Sequence, residues 1–191
     1  MALELRVRGE SRPLGAPQTF ECVPLGNATL PAADRPALAA FCREVADLQR
    51  AILGASKVCD EAQTRLDHAR RAIQDTPGAD PVLLADARGL QDRLRALRIE
   101  LEGDATLARR DEPVPPAITD RIQRAVSSLW SSTAAPTRTH RDEYAFASAA
   151  FPGLLANLRT LVETDLKGLE ARLDAAGAPW TPGRMPEWPR R

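Results

Sequence analysis

From Asp34 onward the apolar residues fall into a strict rhythm. Leu38, Phe41, Val45, Leu48, Ile52, Ala55, Cys59, Ala62, Leu66, Ala69 and Ile73 follow one another at spacings of three and four. That is one continuous stripe on a helix, sustained over several heptads. Asp34 is placed to cap it, with Pro36 in the first turn, where a missing N–H costs little. The stretch "DTPGADP" ends the helix, and Asp80 followed by Pro81 opens a second one by the same device. The second helix runs to Glu102 with Leu83, Ala87, Leu90, Leu94, Leu97 and Leu101 on its seam. At 1.5 Å per residue the first helix spans ~60 Å and the second ~33 Å. The second therefore covers only half of its partner.

After Gly103 comes a polar, proline-rich connector, then a shorter helix carrying Ile118, Ile122, Ala125, Val126 and Leu129. Placed end to end, the second and third helices match the first in length. The last helix runs from about Thr139 to Ala176, with Tyr144, Ala147, Phe151, Leu155, Leu158, Val162, Leu166, Leu169 and Leu173 inward. Its phase slips by one residue between Leu158 and Leu166. Pro152 and Gly153 sit inside it, which predicts a kink or break near Phe151. The pattern thus predicts a mainly α fold: an elongated antiparallel helical bundle of three columns, one of them made of two shorter helices.

The two ends read differently. In "LELRVR", Leu3, Leu5 and Val7 alternate with Glu4, Arg6 and Arg8, the period of a half-buried strand. "GES" reads as a turn and "QTFECVPL" as a second strand, with Phe20 and Cys22 on one face and Pro24 confining it to an edge. The far end, "GAPWTPGRMPEWPRR", combines four prolines with Trp180 and Trp188. A disordered tail is expected to be poor in aromatics, so this one is expected to pack as a strap. The organisation predicted is a β-hairpin over 1–30, a helical bundle over 31–176 and a Pro/Trp-rich strap over 177–191.

Charge adds little. Lysine plus arginine number 26 and aspartate plus glutamate 26, so no net charge draws the chain to nucleic acid. No apolar run is read as a membrane span, and "MALELRVRGE" lacks the apolar core of a signal peptide. Cys22, Cys42 and Cys59 match no zinc spacing, and an odd number argues against a disulfide framework.

Candidate chemistry is sparse. His68 lies beside the first seam and reads as a surface imidazole. His140 opens "HRDEY", where Asp142 and Glu143 suit the first turn of a helix. Zinc-protease, phosphate-loop and nucleophile-elbow motifs are absent from the sequence. The carboxylates alternate with arginines and read as solvated helix faces. No catalytic, metal or cofactor-binding residue is predicted and no cofactor is implied. The same heptads could also drive self-association as a homodimer, although the short connections favour folding back within one chain.

Four stretches, "QTFECVPLGNATLPAADRPALAAF", "LEGDATLARRDEP", "WSSTAAPTRTHRDEY" and "AGAPWTPGRMPEW", resemble the C-terminal region of bacterial sortilin-like or neuraminidase-repeat (BNR) glycosyl hydrolases. In that family a β-propeller precedes a small β-rich segment and a helical region. The resemblance covers nearly the whole chain but not the propeller, and no aspartate-box repeat occurs here, so no catalytic residue carries over. It implies export in relatives and a structural role: docking on, or bracing, a β-propeller in the same or a neighbouring polypeptide. The surfaces expected to do so are the hairpin face of Leu3, Leu5, Val7 and Phe20, and the tail tryptophans Trp180 and Trp188. The rivals are a self-associating coiled-coil adaptor and, behind it, glycoside hydrolysis by this chain, which would need a positioned carboxylate pair in a pocket.

Overall fold

The computed structural model describes residues 4–7, 10–13, 15, 16, 19–21, 23, 25, 26, 30–186 and 188. Helix α1 (Arg35–Gln74) begins where its cap predicts: the Asp34 carboxylate accepts the Ala37 N–H at 2.9 Å. Helix α2 (Pro81–Glu102) is capped by Asp80 in the same way. Their heptad residues face each other and are buried, from Phe41 to Ile73 on α1 and from Leu83 to Leu101 on α2, with Leu38 and Leu48 half-buried. A single-turn α3 (Ala105–Ala108), unforeseen in the connector, is held by the Asp104 side chain. Helix α4 (Ile118–Ser131) follows and packs on both α1 and α5.

Helix α5 (Arg138–Thr160) passes through Pro152 without a break. The proline ring stands on the solvent side, while Phe151 and Leu154 beside it are buried, so packing on both flanks offsets the lost backbone bond. The phase slip has a different outlet. Leu161–Leu166 form a π-helical turn that leads directly into α6 (Lys167–Ala175). A π turn accommodates one extra residue, and here it places Leu161 and then Leu166, Leu169 and Leu173 on the same core. Leu154 and Leu161 lie deeper than the Leu155 and Val162 expected inward, which are only partly buried. The result is a mainly α bundle with a short N-terminal hairpin.

That hairpin differs from the expected one. Strand β1 (Glu4–Val7) pairs antiparallel with β2 (Glu10–Pro13), Val7 opposite Glu10 and Glu4 opposite Pro13. The second strand thus lies where a turn was expected. Among the described residues of 18–25, none is in a strand. A short connection costs less closure entropy than a long one, and the later segment carries Pro24. Ser11 Oγ donates to Glu4 Oε2 across the pair at 2.8 Å. Among the described residues no helix packs against the hairpin.

Candidate interaction surfaces

At the end of the bundle where α1 begins and α4 ends, the chain leading into α1 is tied down by the Ala32 N–H, which donates to the Thr133 carbonyl at 2.9 Å. Ala32 is buried there. Leu25, Pro31, Leu38, Cys42 and Leu129 surround a groove of about 640 Å³ at this end, and among the described residues Arg35 is the one charged residue that lines it. Next to Leu129, Trp130 is 91 % exposed, and Val23, Leu25 and Leu30 on the incoming chain are also exposed. Trp130 falls one position after the last seam residue of α4, so its ring leaves the core. That off-phase placement is visible in the sequence.

Leu3 lies outside the described residues. Leu5 and Val7 lie on β1, and their side chains fall outside the description. Phe20 is 73 % exposed and lies off any strand. Trp188 is 91 % exposed and Trp180 48 %.

The tail is nevertheless held, by other residues. Gly177, at φ 69°, ends α6 in a Schellman arrangement, with the Gly177 N–H on Asp174 O and the Ala178 N–H on Leu173 O. Thr181 to Arg184 form a turn through Gly183 at φ 91°. Arg184, buried under the turn, donates from Nε to Asp174 Oδ1 at 2.8 Å and from Nη1 to the Pro179 carbonyl at 2.9 Å. Its Nη2 reaches the same Asp174 oxygen. The guanidinium also lies 5.0 Å from the centre of the Trp180 ring. Trp180 thus rests on the strap's own arginine.

Two carboxylates read as solvated are in fact buried. Glu170 on α6 receives a bidentate grip from Arg65 of α1, and Glu143 on α5 is held by Arg121 and Arg124 of α4 at 2.7 and 2.8 Å. Both are inter-helix clamps, and Glu143 therefore does more than serve a helix terminus. His140 closes the start of α5 by exchanging bonds with Thr137. A second groove, of about 660 Å³, lies between α2 and the π turn, but its charges pair with one another: Arg93 with Asp165 and Arg172 with Asp86, each at 2.7 Å.

The buried Cys59 thiol is pushed up from 9.0 to about 11, chiefly by burial and then by the Glu102 carboxylate. That keeps it a protonated, apolar filler. Among the described residues no three His, Cys, Asp or Glu side chains are grouped to hold a metal ion.

By length and composition alone, Arg138–Ala175 passes for a membrane span, with a mean hydropathy of 1.2 over its most apolar window. Alanine raises the hydropathy of the outer face, while the large apolar residues of the inner face pack in the bundle. No family model, curated protein or solved structure matches this chain.

Proposed function

We propose that this chain is a non-catalytic interaction module that docks on, or braces, a β-propeller in the same or a neighbouring polypeptide. The observation that carries the reading is the apolar end of the bundle: a groove lined by Leu25, Pro31, Leu38 and Leu129, with the exposed Trp130 next to Leu129 in sequence. Exposed apolar surface around a groove is the signature of a partner site. The hairpin adds support. Among the described residues its sheet has two strands, and a two-stranded sheet offers edges that a β-rich neighbour can extend. The choice of a propeller rests on the resemblance of the turn and tail stretches to the helical region that follows one.

The test is a calorimetric titration of the chain with the propeller domain encoded in the same or the adjacent gene. Saturable binding that weakens about tenfold on combining Leu25→Glu with Trp130→Ala is the expected result. No binding, or equal binding by the variant, removes the reading.

A further inference from the structure

Helix α5 has two seams. The inner one is buried in the bundle; the outer one meets nothing within the described chain. From Asp142 the outer positions Ala145, Ala149, Pro152 and Ala156 follow at alternating spacings of three and four, and Arg159 closes the row. All six are exposed, and no charged residue occurs between Glu143 and Arg159, in a chain that is 27 % charged. One further step at each end reaches Arg138 and Glu163, also exposed. Across Arg138–Ala175, which continues through the π turn and α6, 28 % of the most apolar window is buried. A heptad-spaced, uncharged row of small residues lets a second helix approach closely.

The charges at its ends identify that helix. We infer that the outer seam of α5 packs antiparallel against the same seam of a second copy of this chain. A two-fold axis passing between residues 150 and 151 sets Asp142 against the partner's Arg159 and Arg138 against the partner's Glu163. The same axis sets Ala145 against the partner's Ala156, and Ala149 against the partner's Pro152. Phe146, exposed at the flank, then meets the partner's Leu155. Every pairing occurs twice, as an isologous interface requires. A parallel pair would put Asp142 on Asp142 and Arg159 on Arg159, which like-charge repulsion opposes.

Within the described chain, Arg159 and Glu163 make no ion pair, and Arg138 and Asp142 share one exposed contact at 3.5 Å. All four ends are therefore available. The row shares no residue with the groove at the apolar end of the bundle. The inference does not depend on the proposed docking.

Sedimentation equilibrium of the full chain over a wide concentration range tests it. The wild type should be a reversible dimer, and Ala149→Glu a monomer with unchanged helical circular dichroism. Arg159→Glu should weaken the dimer about tenfold, and Asp142→Arg combined with Arg159→Glu should restore it. A wild type that stays monomeric, a dimer indifferent to Ala149→Glu, or a charge swap that does not restore association overturns the inference. So does a chain that stays monomeric and moves onto phosphatidylcholine vesicles, which would make the uncharged face a lipid contact instead.

Discussion

Arg65 of α1 and Glu170 of α6, 105 residues apart in sequence, meet as a bidentate pair, Nε to Oε1 at 2.9 Å and Nη2 to Oε2 at 2.7 Å. The Gly183 turn of the tail lies against this arginine: a β-carbon added to Gly183 would sit 2.9 Å from Arg65 Nε. The first helix, the last helix and the tail are thus fastened at one place.

Removing one member of that pair leaves the other charge without its partner. Arg65→Ala should destabilise the fold by about 3 kcal/mol, the low end for a broken buried pair, since both side chains keep some solvent contact. Arg65→Ala combined with Glu170→Ala should cost clearly less than the sum of Arg65→Ala and Glu170→Ala made singly. Urea unfolding of the four proteins checks this, and additive losses would show that the pair is not coupled.

The tail should depend on its arginine and glycine. Gly183→Ala forces a side chain into a positive-φ position against a fixed guanidinium and should cost about 2 kcal/mol. Arg184→Ala removes a buried, multiply bonded group and should lower the melting temperature as well. Trp188→Ala should leave the melt unchanged, because that ring is exposed. A fall in melting temperature with Trp188→Ala and none with Arg184→Ala would reverse the assignment.

Cys59 gives stability a slope at high pH. Its folded value, about 11, stands above the ordinary 9.0, so the native state holds its proton more tightly than the unfolded chain does. Its contribution is therefore complete below pH 9 and is lost as pH rises from 9.0 to about 11. The slope in that window approaches roughly 1.4 kcal/mol per pH unit. Comparing denaturant midpoints of the wild type and Cys59→Ala across the window isolates the effect. Parallel curves would mean that the thiol ionises equally in both states.

The π turn makes an unusual prediction about deletions. Taking out Thr164, which is exposed, shortens the spacing from Leu161 to Leu166 from five to four, the step of an ordinary α-helix, and keeps both on the core. Taking out Asn157, equally exposed, rotates everything after it relative to Phe151 and Leu154. Thermal melts should show the Thr164 deletion close to wild type and the Asn157 deletion strongly destabilised.

What could be read from the sequence follows the range of each interaction. Seam residues such as Leu94 and Leu66 declare themselves because helical periodicity is local, and both are fully buried. The slip between Leu158 and Leu166 was legible for the same reason and became the π turn. Strand pairing is not local, and the partner of Glu4–Val7 was misplaced by several residues. Glu143 and Glu170 looked like surface carboxylates because their arginines come from other helices. In the tail the tryptophans marked a segment that packs, but Arg184, which holds it, resembles every other arginine in the sequence.

The claim that the apolar end of the bundle is a docking surface is tested most directly through Trp130. With Trp180→Phe and Trp188→Phe, Trp130 is the sole tryptophan, and being 91 % exposed it should emit as a solvated indole in the free chain. On titration with the propeller domain, the account predicts a saturable blue shift as the ring is covered. Binding that leaves the emission unchanged would place the contact elsewhere, and a chain that does not bind at all would contradict the docking function itself.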